Sequence, residues 1–178
     1  MALKPTIYKL GITLADIDRA HYDSLNLTIA QHPSETLERM MARVLAYCIN
    51  AQEYLVFTQG VCAATEPDIW ARTLDDQISL WIEVGEPSVD KIRKAAGLSP
   101  TVKVYCFNRK SNTWWDQGRA KIEKLNASVY RFEWGGMKAL AAMVKRTMDL
   151  TVTITDDMAY IADGDGSCEV SWVSLLDV

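Results

Sequence analysis

The chain has 178 residues, of which 49% are hydrophobic and 24% are charged, with 19 Lys and Arg against 23 Asp and Glu. This composition excludes a disordered or fibrous protein, and the length fits a single domain over residues 1–178 that folds without disulfides or metal. The net charge of −4 argues against a tight, non-specific nucleic-acid binder, since such binding depends on neutralising phosphates, but it allows a local basic patch.

The sequence predicts a cytoplasmic protein with no membrane segment. Its start lacks the apolar core of a signal peptide, and no stretch approaches the ~20 apolar residues that cross a bilayer. His21 and His32 do not have the spacing of metal ligands, so no zinc site is expected. The cysteines are scattered among apolar neighbours, as small buried hydrophobes are in a reducing compartment. They are Cys48, Cys62, Cys106 and Cys168.

The first third of the chain predicts a β-hairpin followed by a helix. Apolar residues alternate over 6–14 and again over 25–29, which is typical of two half-buried strands. Ser34 is a good N-cap, and an apolar stripe with helical spacing follows it. The stripe consists of Leu37, Met40, Met41, Val44, Leu45 and Cys48.

The rest of the chain alternates between strands and helices, and the predicted class is mixed α/β. The run 78–84 is almost wholly apolar, which suits a central strand buried on both faces. Turn residues at 156–157 and 163–166 predict a second hairpin or meander at the end of the chain, so β-hairpins flank the central sheet and its helices. Strand patterns cover 54–57, 67–70, 78–84, 102–107 and 129–132, and helix patterns cover 89–96, 111–124 and 137–148.

Two acids are candidates for a metal site. Asp68 begins one strand and Glu83 lies near the end of the next, so a hairpin would bring their carboxylates together. Two hard oxygen ligands suit Mg²⁺, with water and substrate phosphate filling the other positions. The alternative is that Asp68 caps a turn and Glu83 is an ion-paired strand residue. An acid in an apolar central strand requires a partner in either case.

A third acid, Glu38, lies on the flank of the apolar stripe of the first predicted helix. From there it could reach the sheet and join the other two carboxylates, or it could simply be a favourable charge near a helix N-terminus. For its neighbour Glu35, which is expected to point further from the core, the second interpretation is preferred.

A short basic helix follows Glu83. Its cations, Lys91, Arg93 and Lys94, are candidates for contacting phosphate or stabilising developing charge, or they belong to a solvated helix face. Arg93 flanks the apolar positions of this helix, so we expect it to be the cation that turns inward.

Adjacent tryptophans at Trp114 and Trp115 cannot share one helix face, so at least one of them should be partly exposed. An exposed indole can stack on a base or a partner, although core packing is the commoner role. Gln117, one turn along from Trp114, is a further candidate polar contact.

These segments together resemble the YaeQ family of bacterial proteins over essentially the whole chain. The resemblance implies a compact variant of the PD-(D/E)xK restriction-endonuclease-like fold, whose αβββαβ core carries acids that bind Mg²⁺ for phosphodiester cleavage. The matching segments are His32–Thr36, Glu38–Met41, Pro67–Trp70, Leu80–Gly85 and Trp114-Trp115, with further matches at 2–8 and Arg146–Met148.

By this resemblance, Asp68 matches the Asp of the PD element, Glu83 matches the acid of the (D/E)xK element, and Glu38 is placed for the acid of the first core helix. The sequence departs from the pattern at Gly85, where the superfamily has the lysine that positions the attacking water. In some superfamily members this lysine lies on a neighbouring helix. The cations available here are Lys91, Arg93 and Lys94, with Lys103 on the following strand a weaker candidate.

Two functions follow as expectations. One is a Mg²⁺-dependent nuclease acting on DNA or RNA, with Asp68 and Glu83 as metal ligands and Arg93 or Lys94 replacing the missing lysine. The other is a non-catalytic adaptor on the same fold that binds nucleic acid or a transcription-related protein. The adaptor is favoured by Gly85, by the net charge and by the exposed aromatic candidate at Trp114-Trp115, whereas the order of the acids along the chain favours the nuclease.

Overall fold

The structure, a computed structural model, describes residues 3–59 and 64–178, which form two compact units. The first unit comprises residues up to Ile49 together with Glu133–Trp172, and the second comprises Asn50–Phe132 with Val173–Val178. The architecture is mixed α/β, as predicted, and the prediction of one domain over 1–178 stays a prediction. Among the described residues, no helix is long and apolar enough to span a membrane.

The first unit contains a mixed sheet in the order β2-β1-β8-β9-β10 and two helices. The first two strands form the predicted N-terminal hairpin, and β1 also pairs in parallel with β8. The last three strands form the predicted meander. The elements are β1 (Thr6–Asp16), β2 (His21–Gln31), α1 (Leu37–Ile49), α4 (Trp134–Ala142), β8 (Thr147–Thr155), β9 (Met158–Ala162) and β10 (Ser167–Leu176), the end of β10 being counted with the second unit.

The second unit contains a mixed sheet in the order β7-β6-β5-β4-β3. Strands β3, β4 and β5 are antiparallel neighbours, whereas β5, β6 and β7 are parallel. Helices α2 and α3 connect the parallel strands, as parallel pairing requires. The elements are β3 (Leu55–Phe57), β4 (Ile69–Arg72), β5 (Ile78–Val84), α2 (Val89–Leu98), β6 (Val102–Cys106), α3 (Ser111–Ile122) and β7 (Ser128–Phe132).

Each unit has its own apolar core. In the first unit, one face of α1 packs with α4 and with inward-facing residues of β8 and β9, including Leu150, Val152 and Ile161. In the second unit, α2 and α3 cover one face of the parallel strands. The buried residues there are Trp81, Ile92, Ala95, Val102, Val104, Trp115, Ile122, Ala127 and Val129.

The start of α1 differs from the prediction. The helix begins at Leu37, and Thr36 caps it, because its Oγ1 accepts a hydrogen bond from the Arg39 amide at 3.2 Å. Ser34 instead hydrogen-bonds the His32 ring at 2.6 Å. The sequence offered two hydroxyl residues within one turn, and the side chain nearer the apolar stripe is the cap.

The fourth helix also differs from the prediction over 137–148. It begins earlier, at Trp134, because the Glu133 carboxylate accepts hydrogen bonds from the amides of Gly135 and Gly136. It ends at Ala142, and the residues from Thr147 onward belong to β8. Two glycines concealed its start, and the alternation that continues through Met148 belongs to the strand.

Two of the cysteines match the prediction of small buried hydrophobes. Cys48 and Cys106 are free and fully buried, and burial raises the pKa of their thiols to about 12 and about 11. Such thiols are poor nucleophiles and poor metal ligands. Cys168 is free and half-buried, and Cys62 lies outside the described residues.

Candidate active site

The β4–β5 hairpin brings Asp68 and Glu83 together. Ile69 pairs with Ile82, so the next position outward places Asp68 opposite Glu83, and the Asp68 amide donates to the Ile82 carbonyl at 3.1 Å. Because side chains alternate along a strand, both acids lie on the same face as the Trp70–Trp81 pair. They are 3% and 2% exposed, so neither is the solvated surface acid that its residue type would suggest.

Asp68 is held by backbone on both sides. One of its carboxylate oxygens, Oδ2, accepts a hydrogen bond from the Val84 amide at 2.8 Å. Its carbonyl accepts from the Thr58 amide at 3.1 Å, which extends the pairing beyond β3. The carboxylate therefore has a defined position relative to the end of β5.

Glu83 has a hydrogen bond to each carboxylate oxygen. Trp81, two residues earlier on the same face, donates its indole N–H to Oε1 at 2.9 Å. Lys91 donates from Nζ to Oε2 at 2.9 Å, and this ammonium is partly exposed. Trp81 is itself fixed edge-on against Trp70, with ring centroids 6.2 Å apart. A packed aromatic pair thus orients the acid.

The electrostatics of this pair favour an additional cation. Burial raises the pKa of Glu83, and the negative charge of Asp68 raises it further, whereas Lys91 and the Trp81 hydrogen bond lower it. The net effect is a raised pKa, so the Lys91 ammonium does not offset burial and the Asp68 charge at Glu83. A divalent cation would relieve this imbalance.

The donor set fits Mg²⁺ rather than a metal with an all-protein cage. Across 3–59 and 64–178, no group of three or more His, Cys, Asp and Glu side chains is arranged to hold a metal. Asp68 and Glu83 are a two-carboxylate pair, and Mg²⁺ is commonly held by one or two carboxylates with water and phosphate completing its shell. Each Glu83 carboxylate oxygen has a second lone pair beyond the one that accepts the Trp81 or Lys91 hydrogen bond.

Lys91 is the predicted cation that the structure places beside Glu83. The Ser88 side chain caps α2 by accepting a hydrogen bond from the Lys91 amide at 3.2 Å. The first turn of α2 thereby presents the Lys91 side chain to the end of β5.

Gly85 has a backbone conformation that favours glycine. Its φ is 107°, in a region that side chains disfavour, and its amide donates to the Tyr105 carbonyl at 2.8 Å. A lysine at this position would strain the backbone. The ammonium beside Glu83 comes from Lys91 of α2.

Arg93 and Lys94 point away from the two acids, so the expectation that Arg93 turns inward is wrong. Both are exposed, and Arg93 forms an ion pair with Asp90 on the outer side of α2. The buried positions of the helix are Ile92 and Ala95, which leaves residues 93 and 94 on the solvent side.

Two further candidates lie elsewhere. Lys103 is in register with Ile82, so it points to the face opposite Glu83, where its Nζ donates to Asn50 Oδ1 at 2.8 Å. Glu38 is half-buried on α1 and belongs to the first unit, whereas Asp68 and Glu83 belong to the second. Its role as a third carboxylate stays a prediction.

The aromatic candidates divide as the helix geometry requires. Trp115 is buried in the core, and Trp114 is half-buried, with its indole N–H donating to the Pro87 carbonyl at 2.9 Å. This bond ties α3 to the loop that follows Glu83. Gln117 is exposed one turn further along.

Sequence reasoning missed two features. The first is Trp81 as the donor to Glu83, although the spacing of two residues on one strand placed both side chains on one face. The second is Glu35, which is not a solvated helix-end charge but is 6% exposed and bonded to Arg43 at 2.7 and 2.8 Å. The arginine lies eight residues away, and no local pattern connects the two.

The chain belongs to the YaeQ family. The family model described as YaeQ protein matches residues 1–172. The uncharacterized protein YaeQ of Escherichia coli (strain K12) is 40% identical over 173 residues, which is 96% of either chain, and that of Salmonella typhi is 40% identical over 172 residues, which is 96% of this chain and 95% of the other.

Two solved structures have the same fold. The crystal structure of the YaeQ protein from Xanthomonas axonopodis pv. citri superposes with a TM-score of 0.94 at 31% identity, covering 98% of this chain and 99% of that one. The crystal structure of the YaeQ protein from Pseudomonas syringae gives 0.93 at 31% identity, covering 98% and 97%.

Proposed function

We propose that the chain is a Mg²⁺-dependent phosphodiesterase of the PD-(D/E)xK type that acts on nucleic acid. The observation that carries the proposal is the pair of buried carboxylates, Asp68 and Glu83, on one face of a hairpin, with the pKa of Glu83 raised by burial and by Asp68. Strained pairs of this kind are characteristic of functional sites. The order helix, three strands, helix, strand, from α1 to β6, matches the αβββαβ core that the family resemblance implies.

Each residue has a role that its geometry supports. Asp68 and Glu83 would hold Mg²⁺, and Trp81 would orient Glu83. Mg²⁺, when bound, would neutralise charge on the phosphodiester and make a water more acidic. Lys91 would exchange its bond with Glu83 for one to the attacking water or to the phosphate, which is the role of the lysine that Gly85 replaces.

The test compares cleavage of labelled DNA and RNA by the wild type and by Asp68→Asn and Glu83→Gln, with Mg²⁺ and with chelator. We expect each substitution to lower the rate by about two orders of magnitude or more, since a metal ligand is lost. Asp90→Asn is the matched control, because it removes one acid from the exposed side of α2. Equal, negligible cleavage in all four proteins would overturn the proposal.

A second candidate is the non-catalytic adaptor that binds nucleic acid or a transcription-associated protein. It is supported by Gly85 and by the direct Lys91–Glu83 ion pair, which already supplies one positive charge to the buried acids. Calorimetry distinguishes the two functions. Nucleic-acid binding that survives Glu83→Gln, with no Mg²⁺ uptake by the wild type, would favour the adaptor.

A further inference from the structure

The positive charge of the chain is concentrated around the candidate site in the sequence. Residues 85–131 contain ten Lys and Arg against four Asp and Glu, although the whole chain has a net charge of −4. Several of these cations are already engaged within the protein, as described for Lys91, Lys103 and Arg93. Across 3–59 and 64–178, the side chains of Arg109 and Lys110 make no hydrogen bond or ion pair, and both are exposed.

Arg109 and Lys110, which we call the β6–α3 cation pair, lie at the same edge of the sheet as the two acids. Strands β5 and β6 are parallel, so the loop after Glu83 and the loop after Cys106 emerge side by side. Two contacts join them. The Ser111 hydroxyl donates to Glu86 Oε1 at 3.2 Å, and Trp114 donates to the Pro87 carbonyl at 2.9 Å.

Hydrogen bonds hold the backbone that carries the cation pair. The Ser111 amide donates to the Asn108 carbonyl at 3.0 Å, and the Asn108 amide donates to Ser111 Oγ at 2.9 Å. Ser111 is fully buried, so this turn is anchored in the unit. Lys110 is the N-cap residue of α3, and Arg109 precedes it. Both cations are therefore carried at the positive end of a helix dipole.

A third cation adjoins the pair. Arg131 is the next-to-last residue of the neighbouring parallel strand, in register with Cys106, and hydrogen-bonds Asn112 in the first turn of α3. The acid in the loops 85–88 and 107–110 is Glu86, and one of its oxygens accepts the Ser111 hydroxyl. These two loops and Arg131 together carry three cations and one acid.

We propose that the β6–α3 cation pair, with Arg131 beside it, binds the sugar-phosphate backbone of the nucleic-acid substrate. The contact would lie next to the phosphodiester bond that is cleaved at Asp68 and Glu83. This inference rests on the proposed function, because it takes the substrate of those acids to be nucleic acid. Contacts of this kind position the backbone without reading its sequence. The proposal places the substrate contacts on the β6–α3 loop, whereas the sequence predicted Lys91, Arg93, Lys94, Trp114 and Gln117.

The experiment measures binding of one short labelled oligonucleotide, as DNA and as RNA, by fluorescence anisotropy in chelator, where cleavage does not occur. We expect the Arg109→Ala/Lys110→Ala variant to bind roughly tenfold or more weakly at moderate salt. We also expect its log–log salt slope to fall by about 1.4, since each single-strand phosphate contact contributes about 0.7. Lys121→Ala/Lys124→Ala is the matched control.

The control removes the same charge from the other end of α3, where both residues are exposed. Lys121 lies about 16 Å along the helix from Lys110, beyond the Debye length of ~10 Å at 0.1 M salt. We expect the oligonucleotide affinity of this control variant to stay within about twofold of the wild type, because no phosphate contact is lost. Equal weakening in both variants, or none in either, would overturn the inference.

The two proposals fail in different ways. If cleavage depends on Asp68 and Glu83 while the Arg109→Ala/Lys110→Ala variant binds like the wild type, the inference is wrong and the proposed function stands. If the wild type never cleaves but binding depends on the cation pair, the proposed function is wrong and the surface belongs to a binding protein.

Discussion

Each unit buries one glutamate beside a cation, and the two environments differ in kind. In the first unit, Glu35 accepts three hydrogen bonds from two guanidinium groups, two from Arg43 and one from Arg39, at 2.7–2.8 Å. In the second unit, Glu83 has a single ammonium, from Lys91, and faces a second carboxylate, Asp68. The first glutamate has an excess of positive charge around it, and the second has a deficit.

This difference separates a structural acid from a candidate functional one. An arginine fork that is itself buried satisfies a carboxylate with fixed geometry, and it leaves little reason for a further ligand. A lysine whose ammonium is partly exposed can break its bond to the carboxylate and be solvated by water. Two carboxylates then remain for a cation to bind. Burial alone does not distinguish the two acids, and the charges around each of them supply a second criterion for choosing a candidate site.

The largest effect is expected at the arginine fork. Arg43→Met retains most of the aliphatic stem but strips Glu35 of its buried partner, and it should lower the free energy of unfolding by about 3–5 kcal/mol. Chemical denaturation of the two proteins measures the difference. Arg39 is the matched control, because its side chain is 23% exposed and makes one of the three bonds. Arg39→Met should cost about 1 kcal/mol.

A second substitution tests whether the buried charge of Glu35 causes the loss of stability in Arg43→Met. If Arg43→Met is destabilising because Glu35 remains as an uncompensated buried charge, Glu35→Gln in the same background should recover part of the loss. An Arg43→Met variant no less stable than Arg39→Met would contradict the contrast between the two glutamates.

A smaller effect is expected at Lys91, and Mg²⁺ should reverse it. Lys91→Met should lower the free energy of unfolding by about 1–2 kcal/mol at neutral pH, less than at Arg43, because the ammonium is partly exposed. Saturating Mg²⁺ should restore stability, since it binds the folded state alone. Thermal unfolding with and without Mg²⁺ measures this.

The Lys91→Met/Glu83→Gln double variant provides the comparison, because it lacks one of the two carboxylates and Mg²⁺ should not stabilise it. The same rescue in both variants would mean that Mg²⁺ acts elsewhere than on Asp68 and Glu83.

Much of the fold could be predicted from local pattern. Alternation predicted the N-terminal hairpin, and the apolar run over 78–84 predicted β5. The boundaries of α1 and α4 were less predictable, because they depend on capping hydrogen bonds that the apolar periodicity does not reveal. The Thr36 hydroxyl caps α1, and the Glu133 carboxylate caps α4. The parallel pairing of β1 with β8 joins residues far apart in sequence, which no local pattern specifies.

The candidate site divides in the same way. The facing of Asp68 and Glu83 follows from strand register, which a hairpin determines locally. The choice among Lys91, Arg93 and Lys94 depends on which face of α2 is buried and on where β5 ends, and those are tertiary properties. The β6–α3 cation pair could not be predicted from the sequence pattern, because two adjacent cations are common on protein surfaces. Only the parallel pairing of β5 and β6 brings their loop to the edge of the sheet where Glu83 lies.

The smallest effect concerns the pH dependence of stability at Glu83. Burial and Asp68 raise its pKa above the ordinary value, so ionisation of Glu83 costs more in the folded than in the unfolded protein. Its contribution to stability is therefore complete below the ordinary pKa and is lost as the pH rises through the raised pKa. Glu83→Gln removes this titration, so the variant should gain stability relative to the wild type across that interval.

Urea denaturation at successive pH steps upward from the ordinary pKa of glutamate, about 4.3, measures the gain. Glu169→Gln, which removes one negative charge from an exposed position, is the matched control. If the Glu83→Gln variant instead loses stability relative to the wild type as the pH rises, the Lys91 ion pair outweighs burial and Asp68. Glu83 would then be a compensated acid like Glu35, and the charge deficit that argues for a bound cation would not exist.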